Sequence, residues 1–468
     1  MTFHPKNLEK AEGSFVFSGQ LGAVCHPCLC KDIFRELWQN FTFGLSTLLA
    51  SETDEYIFST GGVAAIDPDG YDYTINIEPR GVCVCAKSEV MLIRGFMTLI
   101  DRFGAAERED ETVVEAISCK IRDRASVEYR MIHFCVFPET ELWELRRFVR
   151  FCGALKYTHI VLEFWGMLRF DCMKELSWSH GFTKEQIRPI VCEANELGMQ
   201  VIPMFNHWGH ASAGRVIHGK HVVLDQNPAL QTYFAEDGWC WDIKKPKVRA
   251  LLSRIREELI ELCGKGDYFH IGCDEAYNFE FTRENMDLIC DFINEISRDM
   301  SARSRRVIAW GDMFLYKYPH YDQSNRYTCN APSPEVESYL LSRLDRSVII
   351  ADWQYDCVNA PVETAAVFTK AGFDCLLCPY DKGYAQVTAP VATAREQGLM
   401  GIMHTTWHTL SKGMPCVTIA AAKAHDGIDT LGMQWARTYT AALLRRVMPV
   451  RGEYEKAGWS RLQIYSCW

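Results

Sequence analysis

Tyr129-Arg-Met-Ile-His-Phe-Cys135, then a helical face of Leu142, Leu145, Val149 and Cys152, then His159-Ile-Val-Leu-Glu-Phe164, read as strand, helix, strand. The two runs are short and apolar, and the residues between them recur at three- and four-residue spacing. Pro138 can open that helix at its first turn. The same unit recurs downstream. Further strand candidates are Gln200–Phe205, Tyr268–Gly272, Val307–Trp310, Val348–Asp352, Asp374–Cys378 and Gly401–Thr406. Two helical faces between them are Val248, Leu251, Ile255, Leu259 and Leu262, and Met286, Ile289, Ile293 and Ile296. Eight such runs alternating with helices imply an α/β chain, a (β/α)8 TIM barrel somewhat longer than the roughly 250 residues usual for it. A doubly wound sheet competes, but its G-x-G-x-x-G fingerprint is missing.

Upstream the pattern changes. Tyr73–Glu78 and Val82–Ala86 flank the turn Pro79-Arg-Gly81, and Ser88 precedes an amphipathic stretch ending near Phe103. A hairpin followed by a helix reads as a small α+β domain. Gly104–Thr112, with its run Arg108-Glu-Asp-Glu111, reads as an exposed linker. The expected organisation is an α+β domain over 1–125, the barrel over 126–450 and a tail over 451–468.

Composition sets limits. Of 468 residues, 48 % are apolar and 24 % charged, which is ordinary for a globular protein. The net charge of −10 argues against a nucleic-acid partner; Arg303-Ser-Arg305-Arg306 reads as the end of a solvated helix. No apolar run reaches the roughly 18 residues a membrane helix needs, so no membrane partner is expected. The first residues, Met1 to Gly13, show no apolar signal core. With 20 cysteines, the expectation is a cytoplasmic protein with reduced, mostly buried thiols. Cys25-His-Pro-Cys28-Leu-Cys30 has no obvious second pair to complete a zinc site, so no metal and no cofactor are expected.

In a (β/α)8 barrel, catalytic groups sit at the C-terminal strand ends. Here those ends carry Glu163-Phe-Trp165, Asn206-His-Trp-Gly-His210, His270-Ile-Gly-Cys-Asp274-Glu275, Trp310-Gly-Asp312, Asp352-Trp-Gln-Tyr355, Pro379-Tyr-Asp381 and Thr406-Trp407-His408. Indole planes beside carboxylates suit a sugar ring, which has apolar faces and a rim of hydroxyls. Asp274 and Glu275 would face opposite ways on a regular strand. Where the strand breaks after Gly272, both can face one cavity. Like charges placed together keep one carboxyl protonated beside an ionised neighbour, as glycoside cleavage requires.

His270-Ile-Gly-Cys-Asp-Glu275 resembles the H-x-G-G/A-D-E signature of family 20 glycoside hydrolases, the β-N-acetylhexosaminidases. Tyr129-Arg130 resembles the family's sugar-binding Arg, Trp208-Gly-His210 its P/F-G-H segment, and Trp310-Gly-Asp-Met313 its strand-five Trp segment, closest to the hexosaminidase D-like branch. The hairpin and helix at 73–103 resemble the small domain before the barrel. The likeness spans roughly residues 70–410.

The resemblance implies exo-hydrolysis of terminal β-linked N-acetylglucosamine or N-acetylgalactosamine with retention, the substrate's own acetamido oxygen attacking C1 to give an oxazolinium intermediate. Asp274 would orient the acetamido group and Glu275 would be the acid and base. A Tyr would align the acetamido oxygen. Tyr355 and Tyr380 are the candidates, and Trp353-Gln-Tyr355 favours Tyr355. Arg130 would hold sugar hydroxyls, Trp310, Trp353 and Trp407 would wall the pocket, and His210 would support the acid. Cys273 replaces the usual Gly or Ala. Strand eight lacks the Trp-x-Glu of many relatives, so Glu163 and Asp312 become candidates for distal hydroxyls. The expected partner is a glycan or glycoconjugate. A homodimer is left open, since the 206–267 insertion can shape the entrance or meet a second subunit. Two alternatives stand beside this. One is a metal-dependent barrel hydrolase using His133, His210, His270 and Asp274. The other is a non-catalytic N-acetylhexosamine-binding protein.

Overall fold

The computed structural model describes residues 5–23, 26–50, 58–59, 70–212, 221, 223–407, 410–425 and 432–448. The proposed tail at 451–468, Cys25 and His408 lie outside them.

Strands form where both faces are buried. Barrel strands one to eight are Tyr129–Val136, His159–Phe164, Gln200–Met204, Tyr268–His270, Arg306–Trp310, Ile349–Asp352, Cys375–Leu377 and Gly401–His404. All pair in parallel, and strand eight closes on strand one with Gly401 opposite Tyr129. Inward residues follow the two-residue period. Met131, Val161, Ile202, Ile308, Trp310, Ile349, Leu376 and Met403 fill the barrel interior. Outward residues meet the helices, so each strand reads as a nearly continuous apolar run.

The helices begin where the backbone donors of their first turn find acceptors. Helix Leu142–Ala154 starts at a reciprocal pairing of Glu141 and Glu144. Pro138 therefore lies outside the helix it was expected to open. Thr183 and Gln186 pair in the same way at Lys184–Glu196. Helix Pro246–Cys263 belongs to the third β–α unit, so the true insertion is shorter than 206–267. Its described part holds a turn of helix at Val223–Gln226 and a bend carrying Trp239 and Trp241.

Before the barrel lies a sheet ordered Asn7–Phe17, Glu111–Asp123, Tyr73–Glu78, Gly81–Ala86, Phe58–Ser59. Helix Glu89–Ile100 packs on it where Gly95 lies against Val84 and Tyr73, its Phe96 meeting Phe34 and Trp38 on the other side, and the Ser88 hydroxyl accepts the Met91 N–H. The expected linker at 104–112 is instead the hairpin Gly104–Arg108 with Glu111–Asp123. Glu109 and Asp110 both take left-handed backbone (φ 48° and 69°), which matches the twist of a two-residue hairpin turn. At the barrel's N-terminal end, Lys156 donates to the Tyr73 hydroxyl (2.8 Å) and ion-pairs with Asp123 (3.3 Å). His425 also bonds Asp123 (2.8 Å), all within the interior. Among the described residues no helix is long and apolar enough to cross a membrane.

Candidate active site

A cavity of about 330 Å³ opens at the C-terminal ends of the barrel strands. A larger groove of about 700 Å³ runs along the outside between helices Pro334–Arg343 and Thr364–Lys370. It holds no strand-end carboxylate pair, so chemistry selects the smaller cavity.

The loop after strand four builds its centre. Cys273 and Glu275 take left-handed backbone (φ 75° and 49°) on either side of Asp274. Those reversals abolish strand alternation, and Asp274 and Glu275 both line the cavity. Two glycines permit this. Gly272 has φ 68°, and a side chain there would collide with Asn206; at Gly209 a Cβ would run into the Asp274 carbonyl. Asn206 clamps the loop, donating to Asp274 (2.6 Å) and accepting the Cys273 N–H (2.9 Å). Cys273 itself is buried beneath the loop.

His210 joins the two acids. Its Nε2 lies 2.9 Å from Glu275 and 3.4 Å from Asp274, so one proton can pass between imidazole and Glu275. Behind them, Asp312 accepts the Glu275 N–H (3.0 Å), the Asn330 amide (2.8 Å) and the Trp353 indole N–H (3.0 Å). Burial, and then the charge of Asp274, push the Asp312 carboxyl up to about 7. The Trp407 indole donates to the Tyr355 hydroxyl (2.7 Å), and Tyr380 packs 4.8 Å from the Tyr355 ring. Burial raises the Tyr355 phenol well above its ordinary value, so it stays a donor. Trp165, Trp353, Trp407 and the two tyrosines complete the wall.

Several expectations need correction. Arg130 lies at the N-terminal end of strand one, the far end of the barrel. Its guanidinium donates to the carbonyls of Val127 (2.7 Å), Glu128 (3.0 Å) and Lys156 (3.0 Å) and cannot reach a sugar in the cavity. Trp310 is buried in the layer beneath, against His133, His270 and Trp407, and does not face the cavity. Glu163 is also interior, bonded to His133 (3.0 Å) and to the Trp165 indole (3.4 Å), so it backs a wall residue rather than binding hydroxyls. Asp312 likewise serves protein donors. Trp165 was not assigned to the site from sequence. Its place two residues beyond inward-facing Glu163 is the signal that finds it. The four groups of the metal alternative do not converge: His133 pairs with Glu163, and His270 Nδ1 accepts the Gly272 N–H (3.0 Å). Among the described residues no three His, Cys, Asp or Glu side chains form a ligand set.

The model of the glycosyl hydrolase family 20 catalytic domain matches residues 159–440, more than half of the chain. The chain belongs to glycosyl hydrolase family 20. It is a glycoside hydrolase. Solved structures share its fold at low identity. The exo β-N-acetylglucosaminidase of Vibrio harveyi, solved with N-acetylglucosamine, has a TM-score of 0.69 at 15 % identity, covering 95 % of this chain and 77 % of that one. The β-N-acetylhexosaminidase of Bacteroides fragilis gives 0.68 at 15 %, covering 97 % and 95 %. That of Streptomyces coelicolor gives 0.65 at 14 %, covering 97 % of each.

Proposed function

We propose that this family 20 enzyme is a retaining exo-β-N-acetylhexosaminidase that uses the substrate's own acetamide as nucleophile. The observation that carries the reading is the convergence of Asp274 and Glu275 on one aromatic-walled cavity, with His210 between them. The cavity volume suits a single sugar ring. Glu275 gives its proton to the glycosidic oxygen as the bond from C1 breaks. The acetamido oxygen closes on C1, while Asp274 holds the amide N–H and balances its growing positive charge. The Tyr355 hydroxyl, which accepts from Trp407, donates its proton to the acetamido oxygen. Water then attacks C1, Glu275 takes its proton, and the oxazolinium reopens. Holding a neighbouring group in place supplies an effective molarity on the order of 10⁵ M or more, which removes the need for an enzyme nucleophile. The described cysteines are free thiols, which supports a reducing, cytoplasmic setting.

Hydrolysis of an aryl β-N-acetylglucosaminide and of the matching β-glucoside without the amide tests this. The first is cleaved, with the β-anomer of the sugar as initial product, and the second is not. Equal rates would end the proposal. Glu275→Gln loses most activity on alkyl leaving groups and less on activated aryl ones, since acid assistance matters less there.

A further inference from the structure

The glycosidic oxygen must lie beside Glu275, so whatever leaves the cavity passes over the loop that carries this acid. Two residues beyond Glu275 on that loop stands Tyr277, 61 % exposed. Among the described residues the other exposed large apolar side chains, Leu8, Val16, Phe43, Val90 and Ile117, all belong to the domain before the barrel. Tyr277 is thus the one such residue among those described on the barrel, and it sits at the leaving-group side.

Its placement is held firmly. The Tyr277 N–H donates to the Glu275 carbonyl (2.8 Å), and the Trp239 indole donates to the same oxygen (2.7 Å). The two rings lie nearly parallel, 16° apart with centroids separated by 6.2 Å. Trp239 is buried and also meets His210 at 4.3 Å. One ring is therefore a fixed backing, and the other presents a flat apolar surface to solvent. Beyond Tyr277 the same loop borders a hollow of about 370 Å³ in which Trp208 and Phe279 stand beside Asp237, Asn278 and Glu280. Flat apolar rings edged by amide and carboxylate groups match a pyranose, whose axial hydrogens stack while its hydroxyls seek polar partners.

We infer that Tyr277, backed by Trp239, is the stacking platform for the sugar ring on the leaving-group side, so that the natural substrate is an oligosaccharide rather than a glycoside of a small alcohol. This rests on the hexosaminidase reading and deepens it. The Tyr277 hydroxyl lies within hydrogen-bond reach of the Glu275 carboxylate and can donate to that acid. Ring and hydroxyl thus have separable effects.

The test compares kcat/KM for a β-linked N-acetylglucosamine disaccharide with that for methyl β-N-acetylglucosaminide. The leaving groups are similarly poor, and only one carries a ring. In Tyr277→Ala the disaccharide-over-methyl preference falls about tenfold, through KM. In Tyr277→Phe and Tyr277→Trp, which keep a ring, it stays within about twofold of wild type. An unaltered preference in Tyr277→Ala overturns the inference. So does an equal fall in Tyr277→Phe, which would assign the effect to the hydroxyl and Glu275. Wild-type enzyme that cleaves neither compound defeats the hexosaminidase reading itself, a separable result.

Discussion

Asp312→Asn keeps the shape of a buried side chain and changes both its hydrogen bonding and its proton. The native carboxylate takes two donors on one oxygen, from Glu275 and Asn330, and the Trp353 indole on the other. An amide has one acceptor, so its NH₂ must face a donor at one end. A buried donor left unpaired costs roughly 1–3 kcal/mol, and the variant starts less stable by about that amount. The pH dependence runs the other way. The carboxyl rises from 3.8 to about 7 in the folded protein, chiefly through burial, then through Asp274. A folded-state value above the unfolded one gives stability that is complete below the unfolded pKa and is lost as pH climbs through the folded one. Between pH 5 and 7 the unfolded chain is ionised here and the folded chain is not. At ~1.4 kcal/mol per unit, wild type loses on the order of 3 kcal/mol over that window, and the variant has no such slope. Urea unfolding of both proteins at pH 5 and pH 8 reads the difference. Wild type leads at pH 5, and the gap closes or reverses by pH 8. A constant gap would mean that Asp312 carries no proton in this range, and the reasoning from burial would be refuted.

Two other substitutions test the geometry. Gly209→Ala pushes a methyl into the Asp274 carbonyl and displaces the loop that carries both acids; kcat should fall at least tenfold, and a rate within twofold of wild type would contradict the close approach. Arg130→Met strips donors from the carbonyls of Val127, Glu128 and Lys156, and should lower unfolding stability by about 2–4 kcal/mol. The KM for an aryl N-acetylhexosaminide should stay put; a large rise in KM without loss of stability would return Arg130 to the sugar.

Much of the barrel was legible because its strands are buried on both faces, which compels short unbroken apolar runs such as His159–Phe164 and Gly401–His404. The Asp274-Glu275 loop was legible because Gly272 marks where alternation can stop. What escaped depends on position along an element rather than on residue type. Arg130 and Trp310 are the residue kinds a sugar site uses, but one lies at the wrong end of its strand and the other one layer too deep. The 104–112 hairpin was hidden because Glu109 and Asp110, not glycines, take its left-handed positions. Helix Leu142–Ala154 begins at the Glu141 and Glu144 pairing, and the proline nearby was the more conspicuous signal.

The buried contact of Asp123 with Lys156 and His425 spans 302 positions of chain between its acid and its imidazole. An acid sealed in the interior needs its partners, and the imidazole, kept neutral by burial and by the charge of Lys156, arrives only with the helix that follows barrel strand eight. Burial without them would strand a charge. The same contact therefore ties the leading sheet both to the second barrel strand's approach and to the chain beyond strand eight. The imidazole half of this fastening does not exist until residue 425 has been made, and it lies at the end of the barrel away from the catalytic mouth.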